Sequence, residues 1–313
     1  MKLVGSIDTG KWPINVESDP RSDTVYVSNI HSGISVLNTG VKTAQIPAYY
    51  EPYSITVNPV NNYTYVTDLN DPITIIRGSE KIMDLFVPDF NGQGIHWQLA
   101  SGYDKLTGLT YFASWQYGII TVVNGTEVVD QFQFYGEGAK DLAVDPYRRL
   151  LITTNIRAKQ DKKSYNNISI VDLDSKQVTQ INSGEVSEQV DIDLLTGYAY
   201  VTNPADDTVT VLQGTNHVAT YRVRDKPRSV AVDSRTGFAY VTNTGDRSIT
   251  VFKNGAPVET ISFEEDGGFQ PWQVEVDESN GRVYVLNRSS KNKHRDRVPT
   301  YVDCKKPWVH VFQ

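Results

Sequence analysis

Cysteine is almost missing. Cys304 stands alone in 313 residues, so no internal disulfide can form and the fold must rest on packing. A reducing compartment is permitted but not required. Histidine is scarce as well, with five residues, which leaves few candidates for imidazole chemistry. No apolar run is long enough to span a membrane, and the start, MKLVGSIDTG, lacks the apolar core of a secretory leader. Localisation stays open on this reading: cytoplasmic if the chain is complete, periplasmic or extracellular if a leader was removed. Long stretches with helical spacing are missing. So are a nucleophile elbow, a phosphate-cradling glycine loop, a metal-spaced Cys/His set and a dinucleotide fingerprint, and no cofactor or metal is expected. The formal charge of −7 argues against a protein that coats nucleic acid with its whole surface, but leaves room for a local basic patch.

What the chain does have is a repeat. In Lys226–Phe252 the segment Ser229–Asp233 (SVAVD) alternates as a strand, and Ser234–Gly237 (SRTG) reads as a turn. Phe238–Asn243 (FAYVTN) and Ser248–Phe252 (SITVF) follow as strands, separated by Thr244–Arg247. Asn254-Gly255 marks a hairpin and Pro257–Phe263 a fourth strand, so one unit is four short antiparallel strands. Pairing the apolar anchor of each first strand with the first residue of the YVTN-like tetrad gives seven copies: Val16/Tyr26, Ile55/Tyr65, Leu99/Tyr111, Leu142/Ile152, Val190/Tyr200, Val230/Tyr240 and Val274/Tyr284. The period of 39–48 residues is that of four-stranded propeller blades. Three residues after each anchor sits an expected turn former: Asp19, Asn58, Gly102, Asp145, Asp193, Asp233 and Asp277. The last copy has three strands, ending at Trp308–Phe312, and Leu3–Ile7 matches the vacant outer slot. The expectation is an all-β, seven-bladed β-propeller in one domain over residues 1–313, closed by the N-terminal strand joining the last blade. A monomer is expected.

Tyr200–Asn203 and Tyr240–Asn243 both read YVTN, and Tyr26–Asn29 (YVSN), Tyr65–Asp68 (YVTD) and Tyr284–Asn287 (YVLN) are near copies. On these residues the chain resembles the YVTN family of β-propeller repeats over almost its whole length. The resemblance implies a propeller fold. The family includes periplasmic and cell-surface binding proteins, and related seven-bladed propellers include lactonase-like enzymes. The third and fourth copies, YFAS at Tyr111–Ser114 and ITTN at Ile152–Asn155, depart most. The tetrads themselves read as structural.

In a propeller the residue two before each anchor falls at the mouth of the central channel. The series is Ile14, Tyr53, Trp97, Lys140, Glu188, Arg228 and Trp272: aromatic on one side and charged on the other, suited to a small amphiphilic or anionic ligand. Trp12, His96, Trp115 and Tyr117 map to the same face, either as a plug or as a ligand platform. The next position is polar in every copy: Asn15, Ser54, Gln98, Asp141, Gln189, Ser229 and Gln273. Such residues line the channel or tie blades together, and the tie is favoured. Glu17, Asp191 and Glu275 add negative charge deeper in.

Two basic segments, Arg157–Asn167 and Arg288–Lys306, interrupt the fourth and seventh copies, either as solvated loops or as an anion-attracting rim. Nucleic acid is a minor option, because the rings gather in a mouth and not along a track. The first functional expectation is a binding module for a small molecule or peptide at the mouth. The second is a small-molecule enzyme of lyase, isomerase or hydrolase type. It would use His31 or His96 as base, Glu188 as partner or acid, and Lys140, Arg228 and Arg247 as anion holders. The third is a surface or scaffold propeller with no small ligand.

Overall fold

In a computed structural model of the chain, the described residues are 3–6, 9, 13–39, 41–48, 51–68, 72–88, 98–134, 137–157, 167–263, 270–287 and 299–303. Six sheets are each built from four consecutive antiparallel strands. The first holds Pro13–Ser18, Thr24–Asn29, Gly33–Asn38 and Val41–Ile46; the sixth holds Pro227–Asp233, Phe238–Asn243, Ser248–Lys253 and Ala256–Ser262. A further four-stranded sheet joins the two ends of the chain: Pro271–Asp277, Arg282–Asn287, Pro299–Asp303 and, outermost, Leu3–Ser6. The innermost strand of each sheet lies against that of the next, and Pro271–Asp277 lies against Pro13–Ser18, which completes the circle. The fold is an all-β propeller of four-stranded antiparallel blades. Among the described residues no helix is long and apolar enough to cross a membrane.

The packing follows from strand composition. Second and third strands such as FAYVTN and SITVF are buried on both faces, whereas the outermost strand Asn216–Arg222 is mostly exposed. β-Branched and aromatic side chains suit a sheet covered on both sides. Each apolar cluster spans two neighbouring sheets; Tyr111, Ile120 and Phe132 of the third, for example, pack on Leu142, Val144 and Leu151 of the fourth. No sheet could therefore bury its faces alone. The tetrad tyrosines add a polar latch. Tyr26 and Tyr65 donate to the hairpin carbonyls of Gly78 and Gly125 in the next sheet, and Tyr200 accepts the N–H of Gly255.

The turn series is real but differs in one member. Asp145 accepts the N–H groups of Tyr147 and Arg148, Asp193 those of Leu195 and Thr196, and Asn58 those of Val60 and Asn61. Each is an Asx-type turn whose side chain satisfies backbone donors locally. In the third copy Asp104 performs this task, binding the N–H of Leu106 and of Thr107. Gly102 is a strand residue instead: a Cβ there would lie 2.8 Å from Leu142 Cδ2, so its bareness lets the fourth sheet approach.

Two boundaries also differ from the sequence expectation. Leu3–Ser6 pairs with Pro299–Asp303, in the register Leu3↔Val302 and Ser6↔Thr300; Trp308–Phe312 lies outside the described residues. The third strand of that sheet thus comes from within the expected insertion. Pro299–Asp303 holds the β-branched and aromatic Thr300, Tyr301 and Val302, and a strand-competent stretch nearer in sequence to Arg282–Asn287 pairs at lower closure entropy than a later one. In the fourth copy the expected insertion starts later, since Arg157 still belongs to the strand Leu150–Arg157, and its last residue is not solvated. Asn167 is buried, accepting from Ser183 and donating to the Gly184 carbonyl.

Candidate site at the mouth of the central channel

The site begins with a backbone irregularity. In the first, second, fourth, sixth and closing sheets the inner strand slips register against its neighbour just after entry, between Pro13 and Asn15, Pro52 and Ile55, Ala139 and Asp141, Pro227 and Val230, and Pro271 and Gln273. Such bulges re-aim a side chain and leave a backbone group unpaired. The residues on them are Ile14, Tyr53, Lys140, Arg228 and Trp272. Proline at the first strand position, as at Pro13, Pro52, Pro227 and Pro271, is tolerated because no ladder donor is needed there.

In the first, second and sixth sheets a tetrad hydroxyl repairs the bulge, and in the fifth it braces the residue before the inner strand. The N–H of Asn15 donates to Ser28 Oγ, that of Ser54 to Thr67, of Gln189 to Thr202 and of Ser229 to Thr242, at 3.0–3.2 Å. Hydroxyls at this tetrad position also reach into the next sheet. Ser28 donates to the carbonyl of Tyr53 (2.8 Å), Thr154 to Glu188 (2.9 Å), Thr202 to Arg228 (2.9 Å) and Thr242 to Trp272 (3.5 Å). The repeat motif therefore positions Tyr53, Glu188, Arg228 and Trp272 of the mouth series. Thr202→Val keeps the shape but strands the Gln189 N–H and the Arg228 carbonyl. It is expected to cost about 1–3 kcal/mol in a urea titration, and Thr202→Ser is expected to restore most of it.

At the mouth, a cavity of about 190 Å³ is lined by Ile14, Tyr53, Lys140, Glu188, Arg228 and Trp272, with Asn15, Ser54, Asp141, Gln189 and Gln273 beneath them. The Lys140 ammonium sits 5.0 Å from the Tyr53 ring centroid and hydrogen-bonds its hydroxyl. The Arg228 guanidinium stacks 3.4 Å over the Trp272 ring and pairs with Glu188 (Nη2–Oε1 2.6 Å). Both cations are thus held in place by an aromatic face. Burial pulls the Arg228 pKa below its usual value, with the Glu188 charge opposing the shift.

Below lies a second cavity of about 240 Å³, lined by inner-strand residues of every sheet and sharing Asn15, Ser54, Asp141, Gln189 and Gln273 with the first. Glu17, Asp141, Asp191 and Glu275 line it, with Tyr103, Lys105 and Glu278. Several of these polar groups are inter-sheet ties. Asp141 accepts the N–H of Val190 (3.0 Å), Asp191 that of Val232 (2.7 Å), Ser229 that of Val274 (3.0 Å), and Glu275 the hydroxyl of Ser18 (3.0 Å). Burial among like charges outweighs these bonds. It raises Asp141 and Asp191 to about 7, and raises Glu17 and Glu275 as well. Other members of the polar series are not tied. The amide oxygens of Asn15 and Gln189, and both amide atoms of Gln98, have no protein partner among the described residues.

Other candidate residues fall elsewhere. His31 is exposed and borders a separate depression with Gln45, Pro47 and Ala48, on the link between the first two sheets, so it does not join Glu188. Trp115 is half-buried and Tyr117 is exposed, and neither lines the mouth cavity. Arg247 occupies a turn at φ 58°, its carbonyl accepting from Phe263, and it too is off the cavity. Trp12, His96 and Trp97 lie outside the described residues. Sequence reasoning missed Lys105, Tyr103 and Glu278, which sit at or beyond the far end of their strands. It also missed the bulges, for which the recurring Pro at strand entry was an available signal. Among the described residues no group of three or more His, Cys, Asp or Glu could hold a metal ion.

No family model matches the sequence, and no curated protein sequence does either. In structure the chain is similar to Kuenenia stuttgartiensis hydrazine synthase, with a TM-score of 0.75 and 16% identity, covering 97% of this chain and 99% of that chain. At that identity the likeness is one of fold, and it agrees with the sheet order: this chain is a β-propeller.

Proposed function

We propose that the chain is a seven-bladed propeller of the YVTN-repeat kind, a single domain across residues 1–313, whose channel mouth binds a small molecule or the end of a peptide. The blade count is supported by the composite sheet, which supplies the segment between the sixth sheet and the first. The tetrads support the family reading. The observation that carries the binding role is the mouth cavity itself. It is concave, smaller than a drug-sized pocket and so fitted to a ligand of few atoms, and carries two cations fixed on aromatic rings above amide oxygens without partners. Fixed cations lose little freedom when an anionic group arrives.

A melting-temperature screen against small carboxylates and phosphates tests this. A ligand present at a hundred times its Kd is expected to stabilise by about 2.7 kcal/mol. The gain should vanish in Arg228→Ala and in Lys140→Ala, and should survive in Tyr117→Ala, which is off the cavity. Hits that persist in both cavity variants, or no hit at all, would remove the proposal.

One observation favours the enzyme alternative. Asp141, in the same cavity as Lys140, is held near 7, where a carboxyl can both give and take a proton. His31 has no part in that version.

A further inference from the structure

The two cavities differ in charge, and the difference runs along one axis. The upper cavity carries Lys140 and Arg228, with Glu188 already engaged by Arg228. The lower carries Glu17, Asp191 and Glu275, with Asp141 shared by both. The carboxylates outnumber the one lysine of that space, Lys105. At the junction, Asn15 and Gln189 also line both cavities, and each presents a buried amide oxygen with no protein donor among the described residues. A buried acceptor without a donor costs free energy that an arriving N–H or O–H can recover.

A simple anion would satisfy the rim but, once the acids beneath ionise above about pH 7, face repulsion from them. A simple amine would suit the acids but have to pass the rim cations. We propose that the mouth takes a small zwitterion, an amine and a carboxylate on one short chain. Its carboxylate sits with Lys140 and Arg228 at the rim, and its ammonium points down to Asn15, Gln189 and Asp141. This rests on the mouth being a binding site, and it adds the ligand class and its direction. Complementary potential favours that one orientation and penalises the reverse.

The test is calorimetric titration of the intact chain with ω-amino acids from glycine to 6-aminohexanoate, with hexanoate, with hexylamine and with gluconate. At least one ω-amino acid is expected to bind about tenfold or more tighter than each of the other three. Asp141→Asn and Arg228→Met should each lose that preference while keeping a wild-type circular dichroism spectrum. If hexanoate binds as well as the best amino acid, the mouth remains an anion site and the zwitterion is wrong. Equal binding of gluconate would show that neutral donors suffice, and equal binding of hexylamine that only the acids matter; either overturns the inference. Silence from every probe overturns the inference and counts against the mouth as a binding site.

Discussion

Deleting residues 1–7 is expected to lower the melting temperature by about 6 °C or more and to make the protein self-associate. Leu3–Ser6 is the outer strand of the sheet that joins the two chain ends, in register Leu3↔Val302, Gly5↔Tyr301 and Ser6↔Thr300. Its backbone hydrogen bonds contribute about 1 kcal/mol each, so about 3 kcal/mol is lost before side-chain contacts are counted. For a chain of this size each kcal/mol moves the midpoint by roughly 2 °C. The loss also leaves Pro299–Asp303 as an unpaired edge, a template for a second molecule. A peptide with the sequence of residues 1–9, added in excess, should restore both the midpoint and the monomer-like elution by adding itself as a strand. A truncated protein that melts like the parent would show that the N-terminal strand does not hold the sheet.

The second large effect is on pH. Asp141 and Asp191 have folded-state pKa values of about 7, and Glu17 and Glu275 are also raised. Unfolded, such groups titrate near 4. Between those limits the folded chain binds more protons than the unfolded one, so stability falls as pH rises. The contribution is complete below about pH 4 and is lost as pH climbs through 7. Each carboxylate gives a slope of at most about 1.4 kcal/mol per pH unit, lessened because each keeps some accessible surface on the cavity. Urea midpoints should therefore drop between pH 5 and pH 8. Asp191→Asn keeps an amide oxygen for the Val232 N–H and should flatten the curve, raising stability at pH 8 relative to the parent. A flat parental profile, or one that rises with pH, would show that the cavity acids ionise freely in the folded state.

Much of this architecture could be read without coordinates, and the reasons are particular. The distance from strand anchor to tetrad is fixed by two short strands and an Asx turn, so counting from Val230 or Val274 lands on Arg228 and Trp272. The same counting misplaces the turn in the third copy, where two extra residues move it from Gly102 to Asp104. It misplaces His31 because position after a tetrad says nothing about distance from the axis. What counting could not supply is the coupling between sheets. A Thr at the third tetrad position looks like any β-former; its bond to a carbonyl some 26 residues away, as from Thr202 to Arg228, exists only once two sheets meet. The acids posed the same difficulty. Asp191 reads as surplus charge until Val232 is seen donating to it. The last strand was obscured by composition, since the basic run after Asn287 hid a usable PTYVD behind residues that read as loop.

The kink at the entry of most inner strands has an evolutionary meaning. Ile14, Tyr53, Lys140, Arg228 and Trp272 ride on the same one-residue detour, and the carbonyls of Tyr53, Arg228 and Trp272 are pinned by a hydroxyl from the preceding sheet. The wheel does not depend on which side chain stands there, as Ile14 and Arg228 at equivalent places attest. A lineage carrying this chain can rewrite its taste one codon at a time while leaving every spoke untouched.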